Sequence, residues 1–309
     1  MQVHLSLPEE PILAGCALTV GTFDGVHRGH RTLVARLKEE AKLRQVPAAA
    51  LTFTDMPLCF LKPDECPGLL TLPEEKIAAF AETALDHLFI VPFDAAIARQ
   101  TAREFMEFWH RHIGLKLFMG GPDFAMGRNR EGNIPALRAI GAELGFEVLT
   151  LESKLLAKGL PISSTRCRQT VEAGDVDHVR DFMGRPYVLQ GRVVRGQQLG
   201  RTIGVPTINM KVPGRKVLPG HGVYAVRAWW VGLEQPVPAV LNVGLRPTVD
   251  GKRLAIEFHV IDRDVLATPE YVHVEFVLRL REERKFEGLE ALKAQIAKDI
   301  GVAKRVLMV

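Results

Sequence analysis

The sequence predicts an α/β protein, a doubly wound parallel sheet followed by a small antiparallel β-barrel with a C-terminal helix. Three observations predict it. From residue 17 to about 184, apolar runs alternate with helical stretches, the pattern of successive βαβ units. Beyond Gly184-Arg185-Pro186 the period changes to short β-prone segments broken by Gly and Pro, as in small barrels. The chain's 309 residues are too many for one average domain and suit two, each with its own core. The boundary is expected near residue 185, dividing 1–185 from 186–309.

Taken in order, Leu18, Val20 and Phe23 supply a first β-prone run, and Leu33, Val34, Leu37 and Ala41 then repeat at helical spacing. Further strands are expected at Ala48 to Phe53, Leu88 to Phe93, Leu115 to Met119 and Phe146 to Leu151. Helices are expected at Glu74 to Leu85, Ala102 to His112 and Ile134 to Leu144, with Pro73 in the first turn of the earliest of these. Crossovers between parallel strands should be right-handed. The barrel strands are expected at Tyr187 to Val194, Gly222 to Trp230, Val237 to Val243, Leu254 to Ile261 and His273 to Leu280. A last helix places Leu289, Leu292, Ile296 and Ile300 on one face, which would cover the barrel.

Composition narrows the partners. Lys plus Arg exceed Asp plus Glu by 40 to 36, and the charges are scattered rather than blocked, which points no more to nucleic acid than to anionic nucleotides. Four cysteines, Cys16, Cys59, Cys66 and Cys167, form no CxxC pair, and no basic segment followed by an apolar core opens the chain. Both features argue for a reduced cytoplasm and against structural zinc. No apolar run approaches the roughly 20 residues that span a bilayer. No segment marks an oligomer interface.

The stretch Gly21 to His30, GTFDGVHRGH, falls where an apolar run meets an amphipathic helix. Strand-to-helix turns of this kind are where α/β sheets bind ligands. Gly21, Gly25 and Gly29 let backbone amides approach a phosphate, the helix N-terminus favours anions, and His27 and His30 can donate hydrogen bonds to phosphate oxygens. Thr22, Phe23 and Asp24 complete the turn. A His-x-x-His metal pair is the plainer alternative, but no third ligand lies nearby in sequence. The decapeptide resembles the HxGH superfamily of nucleotidylyltransferases and class I aminoacyl-tRNA synthetases. Farther on, PISSTRCR places Ser163, Ser164 and Thr165 at the start of a helix, with Arg166 and Arg168 behind them. A simple Ser cap would be worth about 1 kcal/mol but leaves the two arginines unexplained. A second phosphate clamp, with Arg168 or Arg166 neutralising a departing pyrophosphate, accounts for both. It matches the superfamily's ISSTxxR element. Asp123 and Phe124 emerge after a strand in a Gly-Gly-Pro-Asp-Phe turn that alone would be ordinary.

Residues Gly191 to Asn209, GRVVRGQQLGRTIGVPTIN, place Gly191, Gly196, Gly200, Arg201 and Gly204 ahead of Pro206, Thr207 and Asn209. Glycines mark corners in small barrels, but residues two apart on a strand share a face, so Thr207 and Asn209 can offer two oxygens to Mg²⁺. Here the chain closely resembles the bacterial bifunctional riboflavin kinase/FAD synthetase family, nearly end to end. That family's GxVxxGxxxGRxxGxPTxN element is complete, its flavin-loop element reads NVGLRPTVD from Asn242 through Arg246 and Thr248 to Asp250, and its IExHxxD element runs from Ile256 to Asp262.

The resemblance implies phosphorylation of riboflavin to FMN on the barrel, with ATP on the glycine-rich loop, Mg²⁺ on Thr207 and Asn209, and Glu257 as base. It implies adenylylation of FMN to FAD on the first domain, with release of pyrophosphate and catalysis by His27, His30 and Arg168. Two departures stand out. Where many relatives carry TFEPHP, this chain has Thr52-Phe53-Thr54-Asp55-Met56-Pro57, and Asp262 to Thr268 lacks the family's aromatic and Leu-Tyr-Gly pattern. Two other readings compete. A synthetase-like enzyme lacks a KMSKS-type loop. A nucleotide-sensing RNA-binding barrel lacks a stacking platform, since adjacent Trp229 and Trp230 point to opposite faces.

Overall fold

The computed structural model describes residues 1–151, 155–196, 204–248, 251–263 and 269–308, with the side chains of 246–248 and 251–253 outside that description. The chain forms two compact units, Met1–Ser164 and Thr165–Val309.

The first unit runs β1 (Gln2–His4), β2 (Cys16–Val20), α1 (Arg28–Leu43), β3 (Ala48–Phe53), α2 (Pro57–Leu61), α3 (Pro73–Ala81), β4 (His87–Val91), α4 (Ala95–Arg99), α5 (Ala102–Ile113) and β5 (Leu115–Gly120). It continues through a short pair β6 (Ala125–Met126) and β7 (Gly132–Asn133), α6 (Ile134–Leu144), β8 (Glu147–Thr150), a second short pair β9 (Leu156–Ala157) and β10 (Leu160–Pro161), and the start of α7 (Ser164–Glu172). Six strands form one parallel sheet in the order β1-β4-β3-β2-β5-β8. A sheet covered on both faces reads as an unbroken apolar run rather than an alternation, and β2 and β3 are buried at every residue. Cys16, Leu18, Leu51 and Phe53 face one core with Phe105, Trp109 and Leu137, while Ala17, Ala48 and Ala50 face the other with Leu33, Leu37 and Phe80.

Local chemistry sets the helix ends. Thr101 and Glu104 form a reciprocal capping box at the start of α5, and Gly114 closes its end in the left-handed region at φ 57°. Pro73 opens α3, where Glu75 accepts from the Leu72 amide at 2.9 Å. This helix ends at Ala81, four residues short of the expected Leu85, because the chain turns through Ala84 at φ 52°. The strands at β3 and the helix at α6 fall on their expected bounds.

The second unit continues α7 and then runs α8 (Val176–Met183), β11 (Val188–Val194), β12 (Ile208–Lys211), β13 (Gly222–Trp229), β14 (Val237–Thr248), β15 (Gly251–Val260), β16 (Tyr271–Arg281) and α9 (Leu289–Leu307). The six strands close into an antiparallel barrel in the order β11-β12-β15-β14-β13-β16. The contact division falls at Ser164/Thr165, ahead of residue 185, because α7 and α8 pack with the barrel. Here α8 lies on β16 and buries Val176, Val179, Phe182 and Met183. The Gly220 amide bonds to the Val171 carbonyl at 3.2 Å, and Arg279 donates to the Ala173 carbonyl at 3.3 Å.

The last helix does cover the barrel, with Leu292, Ile296 and Ile300 half-buried and the same stripe continued by Ala303 and Leu307. Leu289 is exposed, and the buried residues of α9 are Asp299, Ala303 and Leu307, with Ile300 half-buried beside Ala225 and Ile261. A carboxylate, Asp299, flanks this apolar stripe. Asp299 is buried only because Arg281 pairs with it at 2.9 Å.

The cysteines also differ from expectation. Cys16 and Cys167 are buried free thiols, whereas Cys59 and Cys66 form a disulfide that closes the segment carrying α2. Among the described residues no helix is long and apolar enough to cross a membrane.

Candidate active sites

The N-terminal candidate lies where sheet order reverses. From β2 the chain steps through β3 and β4 to one side and through β5 and β8 to the other, so the carboxyl end of β2 borders the crevice where open α/β sheets bind ligands. Gly21 to His27 form the turn from that end into α1. Its backbone is tightly constrained, with Phe23 at φ 46°, Gly25 at φ 84° and Val26 at φ 39°. A β-branched residue in the left-handed region is a real outlier, and such strain clusters at functional sites. A Cβ on Gly25 would lie 2.9 Å from Leu70 Cδ1, so Leu70 would have to shift, and φ 84° disfavours any other residue there.

Both signature histidines face this turn. His27 caps α1 and its Nδ1 accepts from the His30 amide at 3.3 Å, so the neutral ring carries its proton on Nε2. The two imidazoles stack at 3.5 Å between centroids, and the His30 ring meets the buried Phe23 edge-on at 5.1 Å. His27 is buried and His30 half-buried. The pair therefore presents polar edges from a fixed aromatic stack.

The structure gives Asp24 a scaffold position. Its buried carboxylate accepts from the amides of Leu70 and Thr71, at 3.0 and 3.1 Å, while the Thr71 hydroxyl accepts from the Gly25 amide at 3.0 Å. Ser164, the first residue of α7, donates its hydroxyl to the Asp24 carbonyl at 2.8 Å. Ser163 precedes it, Thr165 is exposed, and Arg166 and Arg168 are half-buried farther along α7. Asp123 is exposed, and the Phe124 ring packs on Phe118 at 5.2 Å as part of the core.

Sequence reasoning missed Lys76. In a helix reading PEEKIAAFA it resembles a solvated lysine, yet it is 1 % exposed and donates to the carbonyls of Phe53 and Thr22 at 2.7 and 3.1 Å. Burial pulls its ammonium down to about 8, against the opposing pull of Asp24 and Asp55. No local signal marks it, because its acceptors lie 23 and 54 residues away.

The barrel candidate is a row of side chains. Strand register sets Asn209 of β12 opposite Glu257 of β15, and Glu257 opposite Asn242 of β14. Side chains directly opposite share a face, so the three polar groups form a line across the barrel wall. Ile256, Phe258, Leu241 and Val243 alternate with them into the core. Thr207 joins the row by donating its hydroxyl to Glu257 Oε2 at 3.2 Å. His259, two residues on, donates to the Pro206 carbonyl at 2.8 Å. Thr207 and Asn209 thus offer a hydroxyl and an amide oxygen, hard donors of the kind that suit Mg²⁺, beside the Glu257 carboxylate.

Two glycines of this element meet hard constraints. A Cβ on Gly196 would lie 2.3 Å from Asn209 Nδ2, so the chain runs directly against that amide, and one on Gly191 would meet the Lys211 carbonyl at 2.4 Å across β11 and β12. Gly204 takes φ 78°. Gly200 and Arg201 lie outside the described residues, as do the side chains of Arg246 and Thr248 and most of the Asp262 to Thr268 departure. Trp229 stacks on His273 at 5.2 Å.

A family model described as FAD synthetase matches residues 9–166, and one described as riboflavin kinase matches residues 183–307. The bifunctional riboflavin kinase/FMN adenylyltransferase of Escherichia coli K12 is 39 % identical over 286 residues, 92 % of this chain and 90 % of that one. The chain belongs to this family. The enzyme of the same description from Haemophilus influenzae is 36 % identical over 294 residues, covering 95 % and 94 % of the two chains, and that of Bacillus subtilis is 30 % identical over 305 residues, covering 96 % and 95 %. A solved structure described as a macrolide-efflux protein from Streptococcus pneumoniae superposes with TM-score 0.89 at 26 % identity, covering 98 % of this chain and 99 % of that one. The first matched range contains the Gly21 to His30 turn and the second contains the row of Asn209, Glu257 and Asn242.

Proposed function

We propose that this bifunctional family member phosphorylates riboflavin to FMN on its barrel and adenylylates FMN to FAD on its N-terminal unit, using ATP in both steps. The observation that carries the reading is the cross-strand row of Asn209, Glu257 and Asn242 joined by Thr207. An alcohol is a poor nucleophile at neutral pH, and a positioned carboxylate is the least that phosphoryl transfer to it requires. Glu257 takes the proton of the riboflavin 5′-hydroxyl as its oxygen bonds to the γ-phosphorus and ADP leaves. Mg²⁺, held by Thr207 and Asn209, would supply neutralisation of the ATP phosphates. Gly191, Gly196, Gly200, Arg201, Gly204 and Pro206 are assigned to ATP, and Asn242, Arg246 and Thr248 to the flavin.

In the second reaction the nucleophile, an FMN phosphate oxygen, is already an anion. It bonds to the α-phosphorus of ATP as the bond to pyrophosphate breaks, so catalysis consists of alignment and charge stabilisation. His27 Nε2–H and His30 are assigned to phosphate oxygens, with the turn amides from Gly21 to Gly25 and the start of α1 around Gly29. Ser163, Ser164, Thr165, Arg166 and Arg168 are assigned to the leaving pyrophosphate, and Asp123 and Phe124 to the flank of the site. Asp24 serves by shaping the turn.

Use of ATP as co-substrate in both steps favours the cytoplasm. Nothing in the family assignment calls for a nucleic acid or a membrane partner. Incubating the purified protein with riboflavin, ATP and Mg²⁺ tests the reading. FMN followed by FAD is expected, and neither product forming would overturn it.

A further inference from the structure

We infer that Lys76 is a positioning residue for FMN adenylylation, holding the Thr22–Phe23 peptide so that its amide points into the nucleotide site. The inference rests on the adenylyl-transfer reading of the glycine-rich turn. An ammonium has three protons and no lone pair, and the buried Nζ of Lys76 reaches three acceptors. These are the Phe53 carbonyl at 2.7 Å, the Thr22 carbonyl at 3.1 Å and the Thr52 hydroxyl at 3.4 Å. The Thr52 hydroxyl in turn donates to the same Thr22 carbonyl at 2.9 Å. The end of β3, the start of α3 and the signature turn are thus tied at one nitrogen.

The consequence follows from the peptide bond. In a planar trans peptide the C=O and the next N–H point in opposite directions. Two donors fixing the Thr22 oxygen therefore direct the Phe23 amide away from Lys76. Phe23 also sits at φ 46°, a conformation its surroundings must impose. A buried methionine would fill the space of Lys76 without desolvating a charge, so packing alone gives no reason for a lysine here. The charged groups acting on it are the carboxylates of Asp24, in the turn, and Asp55, just beyond β3.

The full-length Lys76→Met, Lys76→Arg and His30→Ala proteins should be assayed for both reactions, with riboflavin phosphorylation as the internal control. Lys76→Met should lose about 10- to 100-fold in kcat for FAD formation, the scale of a misplaced catalytic group, with KM for ATP changed less and FMN formation unchanged. The wild-type advantage over Lys76→Met should shrink as pH rises through about 8, where the ammonium gives up its charge. Unfolding is not the cause in that range. A lysine with its folded value pulled below the unfolded one binds fewer protons in the folded state from about pH 8 to about 10.4, so its share of stability rises with pH there. Lys76→Arg, charged throughout, should keep FAD formation without that decline, which also serves if the methionine variant fails to fold. Wild-type kcat for FAD in Lys76→Met, or the same alkaline decline in Lys76→Arg, overturns the inference. If His30→Ala also retains full FAD formation, the reading of the turn itself is at fault.

Discussion

On the proposed reading, the N-terminal unit meets the nucleotide with the turn amides and the start of α1 beside the two histidines. Side chains such as Asp24, Thr71 and Lys76 work from behind to shape that turn. In the barrel the relation is inverted. Regular main-chain pairing of β12, β15 and β14 lines up Asn209, Glu257 and Asn242, whose side chains are proposed to carry the chemistry. The difference teaches where each half is vulnerable. The first site should fail when its shape is disturbed, even from behind, and the second when a particular functional group is removed.

The largest expected effect is on a barrel stripped of its flanking helices. A fragment of residues 186–309 strips away α7 and α8, and with them the buried Val171, Val176, Val179, Phe182 and Met183. Fully burying each such side chain is worth roughly 1.5–3 kcal/mol, together comparable to a whole domain's stability. This fragment should give little folded protein by circular dichroism. Residues 165–309 should fold and make FMN without FAD. A stable, active 186–309 fragment would show that the two helices are dispensable.

Glu257→Gln comes next in size. It keeps the hydrogen-bonding row and removes the base, so FMN formation should fall by roughly 10²–10⁴-fold, with riboflavin binding retained and FMN adenylylation unchanged in the same preparation. Full-rate phosphorylation would reduce the carboxylate to a strand residue. His30→Ala should have the opposite specificity, losing ~3 kcal/mol of transition-state stabilisation in FAD formation while FMN formation holds. Comparable loss of both activities would assign the histidine to the fold.

The smallest expected effect tests shape alone. Gly25→Ala adds a single methyl group at φ 84°, 2.9 Å from Leu70 Cδ1. Strain of this kind costs about 1–3 kcal/mol, so the melting temperature of the N-terminal unit should drop and FAD formation weaken, with FMN formation untouched. An unchanged melting temperature would show that the turn yields freely.

Legibility in the sequence follows the same division. Strand β3 and helix α6 were readable to the residue, because an unbroken apolar run and a Pro135 in the first turn of the helix are local signals. Strand β1 was not, since three residues paired with the edge of β4 carry no period. The barrel row was legible as residues but not as a row, because Glu257 meets Asn209 and Asn242 only through strand register. Lys76, the Asp24 clamp and the Cys59–Cys66 link were invisible for a related reason. Each depends on tertiary placement of residues whose local surroundings suggest a solvated charge, a ligand or a lone thiol. The burial of Asp299 beside the apolar stripe of α9 was likewise invisible, because it rests on a pairing with Arg281 that only the barrel supplies.

The central claim is that one chain holds two sites that work separately, each complete without the other's catalytic groups. Mixing the His30→Ala and Glu257→Gln proteins with riboflavin, ATP and Mg²⁺ tests it most directly. The first should make FMN but no FAD, the second should make FAD only from added FMN, and the mixture should carry riboflavin through to FAD by way of FMN in solution. A mixture in which FMN accumulates and no FAD forms, although the Glu257→Gln protein adenylylates added FMN, would contradict the account.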